Sequence, residues 1–469
     1  MDHLKKMQSR LENLFGKTGV LFDPVETVKY ALDWTTLYKP NASAVVFPTH
    51  LDQLVELVQI ATIENIALVP SGGRTGLVGG AVATNAEVVV SFEKMNRVLT
   101  HNEFDATITC EPGVSTQTLQ ETAKAHGFYY PIDLSARGSC QVGGNIATNA
   151  GGLHVIRYGS TRNWVSGLKV VTGDGELLNL NRGLIKNATG YDLRQLFIGS
   201  EGTLGFIVEA TMQLTCAPQN TQVILFNLRH IECMLPLMQH LRSKLNLMAV
   251  EFFSDISIQE VMQRHRLSRP IAKTDYYMLV EFESDDVTQE QAMLGVYEHA
   301  NHQQWIVDAV ISQNEQQKTQ LWKYREMITE TIAHYHPYKQ DVSVLTSHVV
   351  EFITTLEKIL LEQFPGLRPI LFGHIGDGNV HVNILPAGDQ SEDDFKKQFP
   401  KLNECLFSLI AQFQGAIAAE HGVGLLKRDY LKFSRSESEL LYMKRVKQAF
   451  DPHYIMNPGK LLEPQDRRF

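Results

Sequence analysis

The chain has 469 residues, 43% hydrophobic and 20% charged, an ordinary globular composition with ample core for two or three domains. Its net charge of −9 argues against a general nucleic-acid binder, which needs a basic surface. The five cysteines (110, 140, 216, 233 and 405) are scattered without a C-x-x-C, which fits reduced cytosolic thiols and argues against an iron–sulfur cluster.

Near the N-terminus Leu4, Met7, Leu11 and Leu14 recur at helical spacing among Lys5, Lys6, Arg10 and Glu12, predicting an amphipathic helix rather than a signal peptide. No run approaches the roughly 18 apolar residues of a membrane span, so the chain is expected to be cytoplasmic, or at most peripheral to the inner face of the membrane. Ala44-Val45-Val46-Phe47 reads as a strand. Thr49-His50-Leu51-Asp52 then predicts a capping box opening a helix with a stripe of Leu51, Leu54, Val55 and Val58. Strands are expected at 66–69, 88–92, 107–110 and 168–171, making the half before Pro218 α/β or α+β. Beyond a boundary at 216–220 come longer helices over 319–334 and 436–450, with a strand near 277–282. The last helix opens on Ser436-Glu437-Ser438-Glu439, a capping box.

Three glycine-rich segments stand out in the first half. Pro70-Ser71-Gly72-Gly73-Arg74-Thr75-Gly76-Leu77-Val78-Gly79-Gly80 directly follows a strand, and its glycines free backbone N–H groups to face a phosphate. It is neither a Walker loop, lacking G-K-[ST], nor a Rossmann fingerprint, because a strand arrives where the helix should start. Gly138-Ser139-Cys140-Gln141-Val142-Gly143-Gly144-Asn145-Ile146-Ala147-Thr148-Asn149-Ala150-Gly151-Gly152 is the second, followed by Tyr158-Gly159. The third is Gly199-Ser200-Glu201-Gly202-Thr203-Leu204-Gly205. Three such segments imply a long ligand clamped by backbone, for which a dinucleotide is the natural candidate.

Together they resemble the FAD-binding domain of the vanillyl-alcohol-oxidase/PCMH flavoprotein family. Phe450-Asp451-Pro452 and Asn457-Pro458-Gly459-Lys460 resemble that family's closing segment, and the likeness spans about residues 38–462. It implies an α+β fold: an N-terminal helical segment (1–37), a two-subdomain PCMH-type FAD-binding domain (38–217), a substrate or cap domain with an antiparallel sheet (218–410), and a C-terminal helical segment returning to the flavin (411–469). FAD contacts carried over by the resemblance are residues 70–77, Pro131, Gly143, Gly144, Asn145, Thr148, Asn149, Gly151, Gly152, Tyr158, Gly159, Glu201, Gly202, Ile207 and Asn457. Several members attach FAD covalently through a histidine in the first loop. Arg74 stands there instead, so FAD is expected to be non-covalent, with Arg74 adding a contact to the pyrophosphate.

A second constellation lies in Phe372-Gly373-His374-Ile375-Gly376-Asp377-Gly378-Asn379-Val380-His381-Val382-Asn383. Asp-Gly between alternating runs is a strong hairpin signal. With Asp377-Gly378 as a two-residue turn, His374 faces His381 and Phe372 faces Asn383, with opposed Cβ atoms roughly 4.5–5.5 Å apart. Two imidazoles so placed can chelate one metal ion; the bland alternative is an exposed cross-strand pair. Glu420, in Ala418-Ala419-Glu420-His421-Gly422-Val423-Gly424, is the candidate third ligand, a set that leaves coordination positions open for chemistry. Such a metal suits a substrate carboxylate and α-hydroxyl, with His421 as base and hydride leaving to the flavin. Arg325 and Thr329, four apart on the expected helix, share a face as an anion clamp, and Lys339 is a further cation.

These residues sharpen the resemblance to the D-2-hydroxyacid dehydrogenases, most closely to those acting on D-2-hydroxyglutarate. It implies His374, His381 and Glu420 as ligands of a divalent metal (zinc, with Mn2+ or Co2+ as alternatives) and His421 as base. Arg325, Thr329, Lys339 and Asn383 are implied as substrate contacts. Asn383 favours a diacid over D-lactate or glycolate, with D-malate as a further alternative substrate. The family's usual proline after Ser343-Val344 is replaced by Leu345. Electrons are expected to leave to an electron-transfer flavoprotein or quinone, an oxygen-using oxidase being the alternative; the sequence leaves the oligomeric state open, a homodimer being one option.

Overall fold

The structure, a computed structural model, describes residues 2–35, 37–284, 287–388 and 390–463. The chain divides into two compact units. One comprises Met1–Gly152, Tyr158–Ala217 and Glu420–Phe469; the other comprises Leu153–Arg157 and Pro218–Ala419, so it runs past residue 410.

The first unit holds two sheets. β1 (Val20–Leu21), β2 (Ala42–Val46), β3 (Leu68–Ser71) and β4 (Glu87–Ser91) form a four-stranded sheet in the order β1-β2-β4-β3, with β2 and β3 parallel to β4. Parallel strands covered on both faces need continuous apolar runs, and Val88, Val89 and Val90 are all fully buried. The Leu51–Ile63 helix buries Leu54, Leu57, Val58 and Ala61 on this core, joined by Met7, Leu11 and Phe15 of the N-terminal helix. The side chains of Leu4 and Lys5 lie outside the described residues. The expected capping box at Thr49 is absent. Gln53, longer than Asp52 and one position further on, accepts the Thr49 N–H at 2.8 Å, and His50 takes the cap position without a side-chain bond.

β5 (Val98–Asn102), β6 (Thr107–Cys110), β7 (Val165–Thr172), β8 (Leu177–Leu180) and β9 (Gly205–Gln213) make an antiparallel five-stranded sheet in the order β5-β6-β9-β7-β8. The Glu437–Phe450 helix does open on the Ser436/Glu439 capping box. Behind it the buried Lys447 Nζ donates to the Thr203 carbonyl at 2.6 Å and the Met456 carbonyl at 2.7 Å, and it pairs with buried Asp451. Asp451 in turn accepts the Ile455 and Met456 N–H groups. Lys447→Met would leave that carboxylate buried without its cation. It is expected to destabilise the protein by about 3–5 kcal/mol, seen as a lower urea midpoint at unchanged slope.

The second unit is built on one antiparallel sheet of seven strands. These are β10 (Thr221–Leu228), β11 (Asn246–Ser254), β12 (Tyr276–Glu283), β13 (Ile306–Ile311), β14 (Tyr338–Ser343), β15 (Arg368–His374) and β16 (Asn379–Leu385), in the order β13-β10-β12-β11-β15-β16-β14. Phe253, Tyr277, Leu279 and Ile370 pack with Ile258, Val261, Ile328 and Ile332 from the flanking helices. The helix expected over 319–334 is two helices, Glu315–Glu326 and Ile328–Ile332, separated at Met327. Arg325 and Thr329 therefore do not share one continuous face: Arg325 is buried and Thr329 exposed.

The β15–β16 register corrects the sequence expectation. Phe372 pairs with His381 and Ile370 with Asn383, because residues 375–378 form a four-residue connection, not a two-residue turn. Tertiary contacts impose the longer loop. The Gly376 N–H donates to Val250 O at 3.3 Å, Arg242 grips the Gly376 carbonyl, and Gly378 (φ +84°) lies where a Cβ would meet Val344 O at 2.1 Å. The shift is by two residues, which preserves the face of every side chain, whereas a shift of one would have inverted it.

Candidate active site

On one face of the seven-stranded sheet, cross-strand pairing gathers a polar cluster. Glu251 on β11 pairs with His374 on β15, while Asp341 and Lys339 on β14 pair with His381 and Asn383 on β16. His374 and His381 sit diagonally, and their Nε2 atoms are 3.3 Å apart. Two nitrogens each about 2.0–2.1 Å from one tetrahedral metal are separated by about 3.3–3.4 Å, so this pair fits a shared ion. Behind each imidazole stands a buried carboxylate. His374 Nδ1 is 2.6 Å from Glu251 Oε1, and His381 Nδ1 is 3.6 Å from Asp341 Oδ1. Carboxylates behind the far ring nitrogens are a usual support for metal-binding histidines, fixing tautomer and orientation.

Asp341 is anchored in turn: Asn379 Nδ2 donates to its Oδ1 at 2.7 Å, and the Ala419 N–H to its Oδ2 at 3.1 Å. Ala419 immediately precedes Glu420 in the chain. Arg325 reaches the same face, with its guanidinium 4.6 Å over the Phe372 ring and its Nε 2.7 Å from Glu251 Oε2. That ion pair lacks hydrogen-bond alignment, and the Arg325 side chain makes no hydrogen bond among the described residues. Burial pushes the Glu251 carboxyl up, but His374 and Arg325 more than offset this and hold it below the ordinary carboxylate range. Burial lowers the Lys339 ammonium below the usual lysine value. Neither Lys339 nor the buried Asn383 side chain has a hydrogen bond or ion pair among the described residues. Arg325, Lys339 and Asn383 thus offer donors that the protein itself leaves unused.

In the first unit the glycine segments line a narrow cleft between Gly72, Gln141, Gly143, Gly144, Gly202 and Ile207. Ser71 Oγ, Gln141 Oε1 and Asn457 Oδ1 are buried without hydrogen-bond partners among the described residues, and a Cβ added at Gly144 would meet no described atom within 4 Å. Orphaned polar atoms beside backbone-only walls suit a dinucleotide held by main chain. Pro70 and Ser71 end β3, and residues 72–77 continue as loop. Arg74 (φ +58°) sits 5.0 Å over the Tyr30 ring, with Nη1 donating to Gly72 O at 3.4 Å.

Several resemblance-based contacts have side chains engaged within the protein. Asn145 Nδ2 donates to Thr116 Oγ1 at 2.6 Å, Thr148 Oγ1 to Gly144 O at 3.1 Å, and Asn149 Oδ1 accepts from Ser160 and Arg162. Tyr158 meets Tyr129 and Trp164 edge-on, Gly159 packs against Asn163, and Pro131 is buried beside Tyr130 and Ile132. Gly151 leads into Gly152, whose N–H donates to Glu420 Oε2 at 3.4 Å. Glu201 is spent on the Glu420-His421 loop: its carboxylate accepts the Val423 and Gly424 N–H groups, both at 2.7 Å. Glu420 Oε1 is 3.5 Å from His421 Nε2.

Three residues escaped the sequence reading. Glu251 had a signal, a lone acid inside the apolar run Met248-Ala249-Val250-Glu251-Phe252-Phe253. Asp341, two residues beyond Lys339, carries no local signal of its own. Asp33 lies under the first glycine loop, where burial pushes its carboxyl up to about 6 against the backbone N–H groups of Thr35, Gly79, Gly80 and Ala81.

Residues 42–181 match the FAD binding domain model, and residues 217–461 the C-terminal domain of FAD linked oxidases. The fold and cleft define an FAD-dependent oxidoreductase. The chain belongs to the FAD-linked oxidase family of PCMH-type flavoproteins. It is 49% identical to a D-2-hydroxyglutarate dehydrogenase of Stutzerimonas stutzeri over 96% of this chain and 97% of that one. It is 34% identical to a mitochondrial protein of Schizosaccharomyces pombe named as a D-lactate dehydrogenase, over 96% of this chain and 88% of that one. The structure of p-cresol methylhydroxylase has the same fold, with a TM-score of 0.80 at 15% identity, covering 100% of this chain and 98% of that one. No described helix is long and apolar enough to cross a membrane.

Proposed function

We propose that this chain oxidises a D-2-hydroxyacid, D-2-hydroxyglutarate foremost, to the corresponding 2-oxoacid. The observation that carries this reading is the sheet face on which Arg325, Lys339 and Asn383 present unused donors beside the His374–His381 pair. A dicarboxylate needs two anion contacts; Arg325 supplies a planar fork for one, and Lys339 with Asn383 a cation and an amide for the other. Non-covalent FAD would supply the acceptor for the hydride from C2. A divalent metal, zinc foremost, held by His374, His381 and Glu420, would supply Lewis acidity at the substrate hydroxyl. His421 receives the hydroxyl proton, balancing the loss of hydride from C2. Electrons then leave to a separate carrier, an electron-transfer flavoprotein or quinone.

The test is kcat/KM with a dye acceptor across D-2-hydroxyglutarate, D-lactate, D-malate and glycolate. D-2-hydroxyglutarate is expected to lead, and D-lactate ahead by about an order of magnitude would overturn the diacid reading. Asn383→Ala is expected to lower kcat/KM for D-2-hydroxyglutarate by about 10-fold or more, and to change that for D-lactate little, because only the diacid has a distal group to lose its partner.

A further inference from the structure

We propose that Glu251 is a positioning residue that couples the metal site to the substrate clamp, holding His374 with one carboxylate oxygen and Arg325 with the other. The inference rests on the proposed roles of those two partners. Glu251 is fully buried at the centre of the sheet, directly opposite His374 in the β11–β15 pairing. Its Oε1 takes His374 Nδ1 at 2.6 Å, which leaves Nε2 pointing at His381. Its Oε2 lies 2.7 Å from Arg325 Nε, on the inner edge of the guanidinium. Phe372, two residues from His374 on the same face, supports the guanidinium plane. A neutral core needs no such carboxylate. A single acid bridging an imidazole and a guanidinium is costly to bury unless both partners are held for use. The bridge is bidirectional: rotating Glu251 to suit one partner pulls it from the other, so ion and carboxylate substrate are registered to each other by one side chain.

Glu251→Gln and Glu251→Asp test this. Glutamine keeps the shape and loses the charge; aspartate keeps the charge but retracts the carboxylate by about 1.5 Å, one C–C bond, too far to span both partners. Zinc affinity is read by chelator competition on the folded holoenzyme, alongside KM and kcat for D-2-hydroxyglutarate and FAD content. Both variants are expected to weaken zinc binding about 10–100-fold, the usual effect of removing a carboxylate behind a ligand histidine. KM should rise severalfold as well, with FAD content unchanged. Should Glu251→Gln not fold, Glu251→Asp decides alone. Wild-type zinc affinity and KM in a folded variant would overturn the proposal. His374→Ala separates the two readings. If it abolishes zinc binding while Glu251 variants do not alter it, only the Glu251 inference falls. If His374→Ala itself leaves zinc affinity intact, the metal site falls with it.

Discussion

Replacing His421 with asparagine is expected to slow single-turnover reduction of the flavin by D-2-hydroxyglutarate about 10²–10⁴-fold, the range that a positioned acid–base group contributes. The fold should tolerate the change. The loop carrying His421 is held by other atoms: Glu201 caps the Val423 and Gly424 N–H groups, and the Leu425 N–H donates to Val78 O at 3.0 Å. Gly422 (φ +85°) and Gly424 (φ +52°) set the turn, and a Cβ at Gly424 would strike Val78 O at 2.2 Å. FAD content and thermal stability should therefore match the parent protein, and the deficit should lie in kcat. Anaerobic mixing of the oxidised variant with substrate gives the rate directly from the flavin absorbance. A wild-type rate would remove His421 from the chemistry.

His381→Ala is expected to abolish tight binding of a divalent metal and to lower kcat/KM about 10³-fold, as befits several kcal/mol of Lewis-acid assistance. The 3.3 Å separation of the two Nε2 atoms is what one shared ion requires, and losing either imidazole leaves a single nitrogen. Chelator treatment of the parent protein should reproduce the loss, and added Zn2+ should restore it; the variant should not respond to zinc. The flavin cleft belongs to the other unit, so bound FAD should persist throughout. A chelator-treated enzyme of undiminished rate would overturn the metal's role.

What the sequence made legible was local. Glycine loops following a strand, an apolar run such as 88–92, and a Ser-x-x-Glu capping box all announce themselves within a dozen residues, and each of these elements formed. The hairpin histidines kept their common face despite the wrong turn, because side-chain parity survives a two-residue slip. What was hidden was long-range. Glu251 meets His374 across 123 positions, and no pattern around either residue states which strand will lie beside it. Similarly, the side chains of Asn145, Asn149 and Glu201 sit in the right segments, yet bond to Thr116, Ser160 and the Val423 turn. A motif identifies which residues cluster; only the packed structure says which atoms remain free.

The discontinuity of the first unit bears on synthesis. Its sheet of β1–β4 is completed by a parallel bridge between Leu68 and Met456, and Asn457 ties down Gly80 and Glu201. Those contacts come from the last of its three segments, which is translated after Pro218–Ala419. On the ribosome the later-encoded sheet of seven strands can therefore fold while the flavin unit still waits for its closing residues. The nascent chain must hold an open, glycine-lined cleft through some two hundred residues of further elongation, the period in which it is most exposed to misfolding and proteolysis.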